Sequence, residues 1–248
     1  MEAAFRMLGR VRQDDGRPGS AAADIAGGKA RALLVTLLLQ ANRTVTVDRL
    51  IEALWDGEPP QSAVANVRTH ASILRRSLNR DARLVGASGG YVLEVEAERC
   101  DHLVFLGRAA DGRAALSAGD SAGAEGLLAS ALALWDGDRA AVGVPRHGPL
   151  TGWLGHLEEE RMRAVEDLAG AYLRLGEPRA ALRDVNELLA VSPLRGRSWA
   201  LRMRAHHALG ERGSLAEAYR TAVHVHRSEL GVGPDEHLRR LFEELVAG

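Results

Sequence analysis

The sequence is poor in residues that mark several common protein classes. It has one cysteine, Cys100, so no internal disulfide can form; this fits a reducing compartment and leaves Cys100 as a small structural residue. Aromatic residues make up 4% of 248 positions, which disfavours a β-sandwich. The longest apolar run, Ala32 to Leu39, is interrupted by Thr36 and falls far short of the ~20 residues that span a bilayer. Residues 1–16 hold no basic stretch followed by an apolar one, so no secretory signal is visible and a cytoplasmic location is expected. Lysine is almost absent: Lys29 stands against 31 arginines. GC-rich coding accounts for that bias without any mechanism.

Signatures of catalysis are missing as well. Gly27-Gly28-Lys29 invites a phosphate-loop reading, but that loop needs an earlier glycine and a hydroxyl residue after the lysine. Those positions are Ala23 and Ala30. The pairs His206-His207 and His224-x-His226 do not share a helical face, and no Cys or second carboxylate cluster completes a metal site. No Gly-x-Ser-x-Gly elbow, His-Glu-x-x-His or dinucleotide fingerprint occurs. An enzyme is not expected, and neither metal nor cofactor is implied.

What is present is a helical, core-forming chain. Hydrophobic residues reach 46%, enough for a packed interior, and Ala and Leu dominate, which favours helices. The length suggests one large domain or two small ones. Net charge is −1, which on its face argues against nucleic acid, although a sum hides its distribution.

The two parts of the chain differ in texture. In residues 1–98, Phe5 to Val11 alternates like a short strand ended by a turn at Asp14–Pro18. Residues 28–41 read as a strongly apolar helix. Thr44 to Val47 is β-branched, a short strand or an extended link. Asp48 is placed to cap a helix over Arg49 to Trp55, which Asp56-Gly57-Glu58-Pro59-Pro60 breaks. A third helix covers Ser62 to Asn79. Arg83-Leu84-Val85 and Tyr91 to Val95, joined by Gly86 to Gly90, form a hairpin with a glycine-rich tip. From residue 99 the texture is helical: segments at 101–118, 122–135, 150–175, 178–190, 194–210, 214–229 and 234–246 carry apolar residues at helical spacing. Gly176 and Gly210 lie 34 residues apart, each in a Leu-Gly-Glu turn, which is the tetratricopeptide period. Ala118-Gly119-Asp120 resembles a third copy, set off by an insertion at 136–149 that reads as a loop or a partner contact. Such arrays bind partners on a concave face.

Three helices and a hairpin are the plan of a winged helix-turn-helix, whose third helix enters the DNA major groove. At 100° per residue, Val67, Ala71, Leu74 and Leu78 fall at ~0°, ~40°, ~340° and ~20°, while Ala65, Thr69, Ser72 and Arg76 centre on ~140–200° with Arg68 and Arg75 at ~80–100°. The outward face is therefore small, polar and basic. Arginine pairs bidentately with guanine, and Thr or Ser bonds to bases or phosphates. An ordinary solvated helix usually carries carboxylates, and Ala63 to Ser77 has none. Residues 1–98 hold 13 Lys/Arg against 12 Asp/Glu and the remainder 19 against 21. Between Val64 and Val85, five arginines face Asp81 alone, net +4. One such module would bind modestly and would need two half-sites or a protein partner.

These residues carry a family resemblance. Phe5-Arg6-Met7-Leu8-Gly9, Gly27 to Leu34, Val47 to Trp55 followed by Pro59-Pro60, Leu74-Arg75-Arg76-Ser77-Leu78 and Gly89-Gly90-Tyr91-Val92-Leu93 resemble the short form of the Streptomyces antibiotic regulatory protein family. The resemblance implies a mainly α chain with small β elements. An OmpR/PhoB-type winged-helix DNA-binding domain would occupy residues 1–98. A bacterial transcriptional activation domain of tetratricopeptide-like repeats would occupy residues 99–248. It further implies a pathway-specific activator of a secondary-metabolite gene cluster. Such an activator binds direct repeats near the promoter −35 element and recruits RNA polymerase including its sigma factor. A nucleoid-associated location is expected, and a homodimer is one of the states open to it on DNA.

Two departures stand out: Ile73 replaces a common arginine, and His70 replaces an aromatic, reading as structural. Thr69, Ser72 and Arg76 are the groove candidates. Arg68 and Arg75 would serve bases or phosphates, with Asn66 a weaker candidate. Arg83 at the wing base and Ser88 at its tip are phosphate candidates. Lys29 and Arg31 would touch the DNA backbone or remain solvated, and Trp55 would seal the core. The alternative is a tetratricopeptide-type interaction scaffold that does not read DNA.

Overall fold

The computed structural model describes residues 3–13 and 27–247; the turn expected at Asp14–Pro18 lies outside them. The chain folds as two compact units that interleave in sequence. One comprises residues 1–107 and 133–160, the other residues 108–132 and 161–248. The first unit therefore reaches past residue 98 and takes in the insertion at 136–149.

In the first unit, α1 (Gly28–Leu39) is apolar on nearly every side, as befits a helix wrapped by others. Leu33, Leu34, Leu37 and Leu38 are fully buried. It packs against α2 (Val47–Leu54) and α3 (Ala63–Ser77), which also touch each other. Thr46 caps α2: its side chain accepts the Arg49 amide. Asp48 instead sits inside the first turn, so the expected cap is displaced by two residues; its carboxylate still favours the positive helix end there. A three-stranded antiparallel sheet follows the order β3 (Val45–Thr46), β5 (Gly90–Val95), β4 (Ala82–Ala87). Ala87 pairs with Gly90, so the hairpin closes through Ser88-Gly89. A Cβ at Gly90 would lie 2.1 Å from the Val45 carbonyl oxygen, so only glycine lets β3 dock there.

The single strand expected over Phe5–Val11 is two short ones, β1 (Phe5–Arg6) and β2 (Arg12–Gln13), paired antiparallel. Gly9, at φ +137°, lies in the bend between them. The insertion is no free loop. Asp136, Ala141 and Val142 amides donate to the Leu8, Met7 and Gly9 carbonyls at 2.7–2.8 Å. Phe105 and Trp135 meet edge to face at 5.4 Å. Ala140 and Arg146 are both tied to Glu158.

Helices run from α4 (Asp101–Ser117) through α5 (Ser121–Leu132), α6 (Pro149–Arg174), α7 (Pro178–Val191), α8 (Gly196–Ala208), α9 (Arg212–Leu230) and α10 (Glu236–Ala247). In the second unit, α8 packs on α7, α9 and α10. Its core is rich in small residues, with Ala169, Ala181, Ala205, Ala218 and Ala222 buried around Trp199 and Met203, which lets helices approach closely. The three expected repeat turns share one geometry. Gly119, Gly176 and Gly210 have φ of +86°, +78° and +72°. At each, the glycine amide bonds three residues back and the next amide bonds five residues back: Asp120 to Ala115, Glu177 to Tyr172, Glu211 to His206. That is the Schellman motif, which calls for a residue in the left-handed region.

Candidate nucleic-acid interface

The face of α3 follows from its sequence phase. Ala63, Val67, Ala71 and Leu74 are buried, whereas Arg68, Thr69, Ser72, Arg75 and Arg76 are exposed. Two of these side chains are organised by their neighbours. Thr69 Oγ1 donates to the Ala65 carbonyl at 3.0 Å, and Arg76 Nη1 donates to Ser72 Oγ at 3.1 Å. Thr69, Ser72 and Arg76 thus form a short polar row one helical turn apart. Arg68 makes no side-chain hydrogen bond or ion pair among the described residues. Asn66 is half-buried, and its amide donates to Ser62 Oγ at 3.2 Å.

Arg75 differs from its neighbours. Its Nε donates to the Leu84 carbonyl at 3.0 Å, and its guanidinium lies 5.5 Å from the Tyr91 ring centre. It ties α3 to the wing, which leaves only part of its donor fork for a ligand. Arg83 and Ser88 are exposed on the wing, Arg83 opposite Glu94. Asp81, the one carboxylate in this stretch, is paired with Arg99 at 2.9 Å, so its charge is neutralised locally.

Residues that sequence reasoning passed over hold this geometry. Asn42, at φ +63°, accepts the Val95 amide and donates to the Val95 carbonyl at 3.0 and 2.8 Å, fixing the wing root to the end of α1. Gln13 Nε2 donates to the Ser77 carbonyl at 3.0 Å and ties β2 to the last turn of α3. An asparagine just past a helix end was the available signal; the Gln13 contact left none. Lys29 is exposed, and it is also held by α2. Its Nζ lies 3.9 Å from the Trp55 ring centre and donates to the Leu54 carbonyl at 3.1 Å, satisfying the C-terminal end of α2. Desolvation lowers its pKa from the usual lysine value. Trp55 is half-buried beneath it. His70 is half-buried, its Nδ1 unpaired, and burial followed by the Lys29 charge lowers its pKa. Ile73 is exposed.

The start of α4 is tied to the N-terminal segment and to α1. Asp101 Oδ2 accepts the Met7 and Leu8 amides at 2.8 and 3.0 Å, and Oδ1 accepts the His102 amide at 2.7 Å. Burial raises the Asp101 pKa to about 6 against those bonds. His102 is 2% exposed, its Nε2 lies 3.1 Å from the Leu38 carbonyl, and burial lowers its pKa to about 4, so it is neutral and donates. Burial and the Asp101 charge push the Cys100 thiol up to about 12.

A three-helix unit with a wing and a solvated basic helix face, carried with an array of helical hairpins, defines the class of transcriptional regulators. Sequence comparison specifies it further. Residues 26–93 match the model described as transcriptional regulatory protein, C terminal. Residues 100–246 match the bacterial transcriptional activator domain. The chain belongs to the Streptomyces antibiotic regulatory protein family. It is 33% identical to the transcriptional regulator RedD of Streptomyces coelicolor over 98% of this chain and 70% of RedD. It is 35% identical to the regulatory protein AfsR of Streptomyces griseus over 98% of this chain. The chain spans about a quarter of AfsR, 24%. Among solved structures, that of Mycobacterium tuberculosis EmbR in complex with a low-affinity phosphopeptide superposes with a TM-score of 0.88 at 27% identity, covering 98% of this chain and 64% of EmbR. The matched relatives are regulators, and no described helix is long and apolar enough to cross a membrane.

Proposed function

We propose that this chain is a pathway-specific transcriptional activator that reads promoter DNA with α3 and its wing. The observation that carries the reading is the exposed, carboxylate-free face Arg68, Thr69, Ser72 and Arg76 opposite the buried stripe of the same helix. Small hydroxyl residues let the helix approach base edges, and the arginines reach guanine or phosphate. Arg83 and Ser88 on the wing contact phosphate, and Asn66 borders the groove. In this reading residues 1–98 bind DNA and residues 99–248 activate transcription. Two protomers occupy direct repeats near the −35 element, and RNA polymerase with its sigma factor is recruited to them. The nucleoid is then where the protein works, and the target is a secondary-metabolite gene cluster.

The experiment is a footprint of the full chain on promoters of the adjacent gene cluster, followed by gel shifts with Arg68→Ala and Arg76→Ala. Each substitution weakens operator binding by about 1–3 kcal/mol if the side chain reaches a base. With about three to five phosphate contacts, log K falls with log salt at a slope of about −3 to −4. Unchanged affinity in both variants, with intact circular dichroism, rejects α3 as the reading helix and favours a scaffold that does not contact DNA.

A further inference from the structure

We propose that the second unit holds a binding site for a small amphipathic organic anion that also carries an N–H or O–H donor. The site is a cavity of about 660 Å³ walled by α6, α8 and the start of α10, within the ~300–1,000 Å³ typical of small-molecule sites. Three features of its lining set the ligand chemistry.

The first is a buried acceptor without a partner. Asp167 lines the cavity and is 5% exposed. Its Oδ1 takes Arg197 Nη2 at 2.5 Å, while its Oδ2 has no hydrogen-bond partner. A buried carboxylate oxygen left unpaired is costly, and a ligand N–H or O–H that displaces the atoms covering it would satisfy it. The second is cationic. Arg204 lines the cavity and is exposed, with no hydrogen bond or ion pair among the described residues. Arg174 spends one donor on the Leu116 carbonyl, from Nη1 at 2.7 Å, and keeps the rest. Asp235 also lines the cavity, and its Oδ1 accepts the Leu238 amide at 2.8 Å. A carboxylate or sulfonate can bridge such a fork. The third is apolar wall, from Leu173 and Leu201, with open space at Gly170, where an added Cβ would meet nothing within 4 Å.

The base of the site is rigid. Glu166, 1% exposed, receives Arg195 from Nε and Nη2 at 3.0 and 2.8 Å and Ser198 Oγ at 2.6 Å. That network fixes α6 against the start of α8 and so holds Asp167 in place. Every lining residue belongs to the second unit and α3 to the first, so the proposal does not depend on the reading of α3.

Anilinonaphthalene sulfonate is a suitable probe, because it joins an anion, an N–H donor and an apolar body. It is titrated by fluorescence into the full chain, the Arg204→Glu and Arg174→Glu variants, and Gly170→Trp. The wild type should bind one equivalent saturably. Either charge reversal should raise Kd about tenfold or more, and Gly170→Trp should abolish binding by filling the space. Far-ultraviolet circular dichroism and the melting temperature confirm folding of each variant, and the two charge reversals decide the matter if Gly170→Trp fails to fold. No saturable binding by the wild type, or unchanged Kd in the folded charge variants, overturns the proposal. A fluorescein-labelled octaglutamate peptide is titrated in parallel. If it binds through Arg204 and Arg174 while the sulfonate does not, the site is a peptide groove and the small-molecule assignment is overturned.

Discussion

Arg75 donates from Nε to the Leu84 carbonyl at 3.0 Å and sits 5.5 Å from the Tyr91 ring centre, so an arginine on the recognition face also holds the wing. Arg76, one residue on, bonds only within α3 to Ser72. The two arginines therefore separate in experiment. Arg75→Ala removes a hydrogen bond to β4 and a cation–π contact, and should lower stability by about 1–2 kcal/mol along with weaker operator binding. Arg76→Ala should weaken binding with the melting temperature unchanged. Thermal melts run beside gel shifts check both; equal stability losses in the two variants would contradict the assignment.

Asp101→Ala should destabilise the protein by about 2–4 kcal/mol, because the Met7 and Leu8 amides lose their buried acceptor. Asp101→Asn keeps one acceptor oxygen and should recover part of the loss. Chemical denaturation of the full-length variants measures the difference. The loss should appear although the residue lies outside α3, since residues 7–9 also pair with the 136–142 segment.

His102 and Asp101 pull stability in opposite directions with pH. The folded-state pKa of His102 is about 4, below its ordinary 6.5. Its contribution is full above pH 6.5 and is lost as pH falls towards 4, on the order of 3 kcal/mol. The folded-state pKa of Asp101 is about 6, above its ordinary 3.8. Its contribution is full below pH 3.8 and is lost as pH rises through 6. The two largely cancel between pH 4 and 6.5. His102→Gln keeps a donor for the Leu38 carbonyl and removes the histidine limb, so the variant should gain stability as pH falls from 7 to 4.5. Denaturation midpoints across that range check it; a variant whose pH profile matches the wild type's would refute the pairing of limbs.

Gly176→Ala and Gly210→Ala should each cost about 1–2 kcal/mol, since both glycines sit at positive φ in Schellman turns and a Cβ is strained there. Gly213, in the first turn of α9, has no positive φ and open space around its Cβ position, so Gly213→Ala should be neutral or stabilising. Paired thermal melts distinguish the conformational cost from a general effect of replacing glycine.

Much of this organisation was legible in advance for a physical reason. Helical periodicity and glycine punctuation are local signals, so α3 to α10 fall within a few residues of their expected bounds. The phase of α3 separated Val67, Ala71 and Leu74 from Thr69, Ser72 and Arg76 without any knowledge of its neighbours. Thr46 and Asp48 are both good caps for α2; the backbone enters the helix at Val47, and that decides for Thr46. The insertion at 136–149 was opaque because its partners, Met7 to Gly9, lie more than 120 residues earlier in the chain, and its own composition signals only a loop.

The sequence by itself determined the helical repeat, the winged-helix plan and the side of α3 that faces water, because each follows from short-range spacing of apolar, glycine and charged residues. Only the tertiary structure decided which of those polar groups are already engaged. Arg75 is drawn to Leu84, Lys29 to Leu54 and Asp81 to Arg99, while Asp167 keeps one buried oxygen unpaired beside a cavity. Hydrogen bonds and ion pairs depend on distances of a few ångströms between distant parts of the chain. Charge counted along the sequence carries no information about them.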